Sequence, residues 1–347
     1  MTPSVAVVGL GGLGRVLLRS LADLNADVVA GVDVSADARD RFERAYDAPA
    51  SADIGAVLEA TEPDAAVIAT PHALHHEQAM ACLEAGLDVF VEKPMVTDVA
   101  DAVELVTAAD RRDRTLAVGY QRHFHPAFVE VKRIVDSGRI GDVRAAAAHL
   151  SQDWIDVQRG TWRTDPALSG GGQLYDSGSH LLDALLWTTG TTPRSVSAQL
   201  SFDEPGVDTD AALAMALERD GRPVTASVSV RGDGVDGEPA EGYTIWGTDG
   251  RLAFDGASLR VTERDGPTYD GEIADGADFE TLTDRKLSNF LDAVRGEAEP
   301  AVPGDVGLRI TALTEAAYRA ADEGRTVDVR ATIDEAEPST TPPSPTE

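Results

Sequence analysis

Cysteine is nearly absent: Cys82 is the only one in 347 residues, which excludes a disulfide framework and a thiolate-rich metal site. It sits in an Ala-Met-Ala-Cys-Leu stretch of helical character and reads as a small core residue. Long hydrophobic runs are missing as well, and no apolar segment approaches the roughly 18 residues that a membrane span needs. The first residues, Met-Thr-Pro-Ser, lead straight into strand formers without the basic and apolar regions of a secretory signal. A cytoplasmic location is expected. Positive charge is scarce: thirty basic against sixty acidic side chains leave a net charge of −30. Such a surface repels phosphate backbones and anionic headgroups, which argues against nucleic-acid and membrane partners. Lysine is scarcer still, with only Lys93, Lys132 and Lys286 beside the arginines. Like charges at this density destabilise a compact chain in dilute salt, whereas about 1 M salt cuts the screening length to about 3 Å. The composition is halophilic, and the fold is expected to gain stability in molar salt.

What is there suffices for a large core. Hydrophobic residues make up 42%, which excludes wholesale disorder, and the length suits two domains. Through about residue 121, short apolar runs alternate with helical patterns: Val5–Val8, Val28–Val32, Ala65–Ala69, Val89–Val91 and Leu116–Val118 are apolar throughout. Strands buried on both faces read this way, and the alternation predicts a parallel sheet with helical crossovers. After Tyr120 the texture changes. A helix near 127–137 and a strand near 143–150 precede the glycine run Gly170-Gly171-Gly172, and helical character follows through Trp187. From about Arg194 to Val261, short alternating segments separated by turns predict an antiparallel sheet, with two helices after it, near 282–294 and 306–321. The expected division is α/β throughout: a nucleotide-binding domain over 1–121, an α/β domain over 122–332, and a disordered Pro/Ser/Thr-rich tail over 333–347.

Gly9-Leu10-Gly11-Gly12-Leu13-Gly14 fits G-x-G-x-x-G between the first strand and the first helix. Asp33 ends the second strand 19 residues later, near the spacing of a Rossmann dinucleotide site. Glycines permit the tight turn, and free amides at a helix start stabilise a pyrophosphate. The Asp33 carboxylate accepts ribose hydroxyls and repels a 2′-phosphate, which favours NAD; Arg39 or Arg41 folded over the ribose would admit NADP.

Two further clusters carry chemistry. Thr70-Pro71-His72-Ala73-Leu74-His75 and Glu92-Lys93-Pro94 follow strands at their carboxyl ends, where open α/β sheets bind ligands. A lysine half desolvated there suits proton exchange in a way arginine cannot. In Gly170–Asp183, helical spacing puts Asp176 and His180 on one face, pairing a carboxylate with an imidazole base. Among the other histidines, His72 and His76 are expected in solvent, His149 in a structural place, and no metal site is expected.

Together these motifs resemble the family named after glucose–fructose oxidoreductase, inositol dehydrogenase and the rhizopine protein MocA. The resemblance spans nearly the whole chain. It includes the glycine loop, Thr70-Pro71 with His75, Glu92-Lys93-Pro94, Gln121-Arg122 with Pro126, Trp162-Arg163, Gly170–Asp183, Asn289-Phe290-Leu291-Asp292 and Glu315-Ala316-Ala317-Tyr318. It implies a second domain whose open, mainly antiparallel sheet forms a homodimer or homotetramer. It implies a cofactor held by the glycine loop, Asp33, Thr70, Pro71, His75, Glu92, Lys93 and Gln121. The substrate would meet Lys93, Arg122, Trp162, Arg163, Asp176 and His180, with Lys93, Asp176 and His180 catalytic. The implied activity is NAD(P)-dependent oxidation of a sugar or polyol hydroxyl, with His180 or Lys93 as the immediate base. Two other readings of the same residues are a glycosidase or epimerase working by transient oxidation, and a catalytically silent sugar or dinucleotide sensor. His123, His125, Gln173 and Tyr175 depart from the family pattern and are expected to tune the substrate.

Overall fold

The computed structural model describes residues 2–203, 206–235, 240–256, 258–272 and 277–337. Strands β1 (Ser4–Val8), β2 (Asp27–Val32), β3 (Ala50–Ser51), β4 (Ala65–Ile68), β5 (Asp88–Val91) and β6 (Leu116–Val118) form a parallel sheet. Their order is β3-β2-β1-β4-β5-β6, so the chain reverses direction across the sheet between β1 and β4. That reversal opens a crevice at the carboxyl ends. Helices α1 (Gly12–Asp23), α2 (Ala36–Tyr46), α3 (Ile54–Thr61), α4 (His75–Glu84) and α5 (Val99–Arg112) are the crossovers. Every residue of β4 and β5 is buried, as the unbroken apolar runs require.

The second region begins with α6 (Pro126–Asp136), β7 (Val143–Ser151) and the short helices α7 (Trp154–Gln158) and α8 (Pro166–Ser169). A π-helical turn, Leu174–Gly178, runs directly into α9 (Ser179–Thr189). Then follow β8 (Thr192–Phe202), β9 (Asp208–Arg219), β10 (Arg222–Arg231), β11 (Glu241–Gly247), β12 (Gly250–Phe254), β13 (Ser258–Glu263) and β14 (Thr268–Glu272). The chain closes with α10 (Phe279–Val294), α11 (Gly304–Glu323), β15 (Val327–Asp328) and α12 (Val329–Ala336). The second sheet runs β14-β13-β12-β11-β7-β10-β9-β8-β15, antiparallel except between β7 and β10. Along β10 buried and exposed residues alternate, so one face packs and the other stays open.

Chain order and packing part company at α10. Phe290 of α10 meets Phe90 of β5 with ring centroids 5.6 Å apart, and Leu287 and Leu291 are buried in the same cluster as Leu17 and Leu21 of α1. The helix therefore covers the first sheet. The expected tail over 333–347 needs correction at its start. Residues 333–336 complete α12, whose Asp328 cap accepts the Ala331 amide at 2.9 Å and whose Ile333 packs on the core. Residues 338–347 lie outside the described residues.

Candidate functional site

The β1–α1 turn is shaped by its glycines. A Cβ on Gly14 would collide with the Gly9 carbonyl, and Gly9 itself sits at φ +94°. Helix α1 starts at Gly11 with no side-chain cap and no acidic residue in its first turn, so its amides face the crevice free for an anion. Asp33 is held at the end of β2: its Oδ2 accepts the Leu10 amide and its Oδ1 the Ser35 amide, each at 2.8 Å. Each oxygen keeps a further lone pair for a ligand hydroxyl. These groups line a cleft of about 590 Å³ that continues along Thr70, His72, Lys93, Trp162 and Arg163. A phosphate-accepting helix start with a ribose-accepting carboxylate beside it fits a dinucleotide.

Arg39 does fold back to the end of β2, where its Nη1 donates to the carbonyls of Asp33 (2.7 Å) and Val34 (3.0 Å). Arg41 lies in a separate pocket with Phe42 and Tyr46.

The peptide before Pro94 is cis, and Lys93 leaves this loop toward the second region. Its Nζ donates to the Asp176 carboxylate at 2.6 Å and to the Asp176 carbonyl at 3.0 Å. The other Asp176 oxygen accepts Trp154 Nε1 at 2.8 Å and faces Arg163 Nε at 3.2 Å. Burial alone would raise this carboxyl. The charges of Lys93, Arg163 and His72 instead hold it well below the ordinary range.

The expected pairing of Asp176 with His180 does not form. In the π turn Gly178 donates to the Gln173 carbonyl five residues back, at 2.8 Å, and the widened turn carries Asp176 off the face of His180. Asp208 braces the start of that turn. Its buried carboxylate accepts the Gly172 and Leu174 amides at 2.6 and 2.8 Å and the Tyr318 hydroxyl. A Cβ on Gly172 would occupy the Asp208 backbone. His180 instead feels the charge of Lys93. Burial first, then the charges of Lys93, Arg122 and Lys286, push its imidazole well below 6.5, so the ring is neutral and able to accept a proton.

Other expectations change in detail. His72 is buried, not solvated: its Nδ1–H donates to the Ser169 carbonyl at 2.9 Å, and its ring meets the edge of Trp162 at 4.7 Å. Burial pushes it down to about 3. His76 is half-buried between Asp101 and Glu104. Glu92 reaches the cleft wall but spends its carboxylate on Lys286 of α10. His75 is fully buried, its two ring nitrogens against the carbonyls of Pro94 (3.0 Å) and Thr70 (2.9 Å), where it ties the two cleft loops together. Arg122 is clamped by Glu241 at both oxygens, with Tyr243 donating to the same carboxylate at 2.7 Å. Gln121 opens the turn Gln121–Phe124 and is half-buried.

The four departures from the family pattern each have a packing partner in the structure. His123 bonds Asp183 and stacks on Trp187, and His125 caps α6. Gln173 meets Gln152, and Tyr175 donates to the Thr97 carbonyl at 2.9 Å. Trp154, His72 and Glu241 escaped sequence reasoning. Only the position of His72, directly after Pro71 at a strand's carboxyl end, signalled its place.

Comparison with known proteins agrees with this architecture. A family model described as an oxidoreductase family with an NAD-binding Rossmann fold matches residues 4–120, and the GFO/IDH/MocA C-terminal domain matches residues 128–253. The chain belongs to the GFO/IDH/MocA family. An inositol 2-dehydrogenase of Streptomyces avermitilis is 34% identical over 194 residues, covering 54% of this chain and 53% of that protein. The chain thus spans about half the length of that relative. A second inositol 2-dehydrogenase, from Rhizobium meliloti, is 27% identical over 347 residues, covering 95% of this chain and all of its own. The solved aldose-aldose oxidoreductase of Caulobacter crescentus, complexed with glycerol, superposes with a TM-score of 0.80 at 26% identity, over 94% of this chain and 100% of its own. No helix among the described residues is long and apolar enough to cross a membrane. Among them, too, no group of histidine, cysteine and carboxylate side chains could hold a metal ion.

Proposed function

We propose that this protein is an NAD(P)-dependent dehydrogenase of a sugar or polyol, acting on a CH–OH group. The observation that carries the reading is the ammonium of Lys93, held at 2.6 Å by Asp176 on the wall of the cleft that also presents the glycine loop and Asp33. The bound cofactor would supply the hydride acceptor. The glycine-loop amides and Asp33 would hold its pyrophosphate and adenosine ribose. Lys93 donates to the substrate oxygen, Asp176 fixes Lys93 in place, and His180 takes the hydroxyl proton in the oxidative direction. Trp162 and Arg163, stacked with the guanidinium 4.4 Å from the ring, form the outer wall against which a sugar face and its hydroxyls would rest. Asp33 favours NAD, and Arg39 beside it leaves NADP within reach.

The relatives named inositol 2-dehydrogenase and aldose-aldose oxidoreductase support a polyol or aldose substrate. A groove of about 980 Å³ lies on the open face of the second sheet, lined by Ala147, His149 and Thr244 among others and remote from the cleft. We take that face as the contact between copies in a dimer or tetramer, and a single buried thiol suits a cytoplasmic setting.

The test is a panel of inositols, aldoses and glycosides with NAD and NADP at molar salt, following the absorbance of reduced nicotinamide. Turnover is expected on at least one free polyol or aldose, and His180→Ala should lower it roughly 10²–10⁴-fold while NAD still binds. Aglycone release without reduced cofactor would replace the dehydrogenase with a glycosidase. Binding without any turnover would leave a sensor.

A further inference from the structure

Behind His180 the fold buries more polar chemistry than the dehydrogenase reading uses. The His180 Nδ1 is buried and has no hydrogen-bond partner among the described residues. Oδ2 of Asp183 is likewise without a partner, and the Tyr120 hydroxyl, which faces Ser179, makes no hydrogen bond of normal geometry. Tyr120 adjoins His180, and Asp183 stands on the same helix as His180. The Tyr120 ring meets the His180 ring edge-to-face, with centroids 5.7 Å apart and planes at 84°. Asp183 follows His180 by three residues on α9, which puts both on one helix face. The Asp183 charge also acts on the Tyr120 hydroxyl. Tyr120 and Asp183 are 0% and 1% exposed.

Buried polar atoms are almost always hydrogen-bonded, and three such atoms suffice for one enclosed water. The donor inventory limits how that water bonds. A carboxylate only accepts, so the water donates to Asp183 Oδ2, and a phenol hydroxyl can donate to the water; the imidazole Nδ1 can then donate to it as N–H or accept its second hydrogen, and only the first form leaves the Nε2 lone pair free. The carboxylate is itself anchored, since its Oδ1 faces His123 Nε2 at 3.0 Å and the His123 ring stacks on Trp187 at 4.2 Å.

We propose that Asp183 and Tyr120 are positioning residues which, through one buried water, hold His180 in its Nδ1–H tautomer and so aim the Nε2 lone pair at the substrate. This rests on His180 being the base of the reaction proposed above. When Nε2 takes a proton, the positive ring faces Lys93, Arg122 and Lys286 on the cationic side, with Asp176 bound to Lys93. Asp183 is the carboxylate on the opposite side, one water away. It lowers the barrier to charging the ring while standing outside the cleft.

The decisive measurement needs no substrate. Nitrogen-15 spectra of the histidine-labelled full chain, with His180 assigned by His180→Gln, report which ring nitrogen carries the proton. The Nδ1–H form is expected in the wild type, with mixed tautomers in Tyr120→Phe. Once a substrate is in hand, Tyr120→Phe and Asp183→Asn should each lower kcat about 10-fold to 100-fold with KM nearly unchanged. The acid limb of kcat should also move to lower pH in Asp183→Asn, because removing the carboxylate disfavours imidazolium. A wild-type Nε2–H tautomer, or the same tautomer in Tyr120→Phe as in the wild type, would overturn the proposal even if the enzyme turns over. Absence of turnover on every sugar would overturn the dehydrogenase reading and leave the tautomer result standing.

Discussion

Two ion pairs start from adjacent residues of the loop after β5. Glu92 turns to Lys286 of α10, where the side chains keep 8% and 2% of their exposure; Lys93 turns to Asp176, where they keep 15% and 10%. The chemistry is the same lysine–carboxylate contact, and the surroundings separate the roles. Lys286 lies over the Phe90 ring at 5.6 Å and ties α10 to the first sheet. Lys93 lines the cleft, with Asp176 braced by Trp154 and Arg163 behind it. A pair whose lysine ties a helix to the sheet works as structure, whereas a pair whose lysine lines the cleft can hand hydrogen bonds to a ligand. In a chain with three lysines, two are placed in these pairs.

Lys93→Ala should break the contrast from one side, lowering turnover roughly 10²–10⁴-fold with little change in the unfolding midpoint. Comparable losses in both measurements would mean that Lys93 is as structural as Lys286. The mirror variant, Lys286→Ala, strands the Glu92 carboxylate and is expected to remove about 3–5 kcal/mol of unfolding free energy by denaturant titration. Glu92→Leu with Lys286→Met should recover much of that loss, since replacing both charges leaves neither unpaired.

Acidification tests the cleft groups. Unfolded His72 takes up its proton near 6.5 and the folded residue only near about 3, so the stability it contributes is present above 6.5 and is lost as pH falls through that window. Asp176, depressed in the fold, adds a loss only at lower pH, below the ordinary carboxyl range. His72→Gln should make the first window shallower in pH-dependent denaturation, the rest coming from His75, His125 and His180, and leave the second. Cofactor choice is a smaller effect. Asp33→Ser should cut the preference for NAD over NADP about 10-fold to 100-fold by titration, the scale of one charged hydrogen bond. Smallest is the general response to salt: the melting temperature should rise by a few degrees from dilute buffer to molar KCl. No rise would remove the halophilic reading.

Much of the first region was legible because its signals are local. The strands 5–8 and 65–68, the glycine loop and Asp33 each follow from neighbouring residues, and the resulting sheet order sets the crevice. The second cluster was legible only in part. Lys93, Asp176 and His180 could be singled out, but their partners could not, because the π turn that holds Asp176 is braced by Asp208, more than 25 residues later in the chain. His72 looked like a polar loop residue until Ser169 and Trp162 closed over it.

Composition and short-range pattern alone determined that the chain is acidic, two-domain in plan and equipped with a dinucleotide loop, since these depend on neighbours along the backbone. Which carboxylates Lys93 and Lys286 meet, and which histidines are dry, were decided in three dimensions. Those choices turn on contacts such as Lys93–Asp176 and Lys286–Glu92, whose partners lie 83 and 194 residues apart, and only folding brings them within hydrogen-bonding reach.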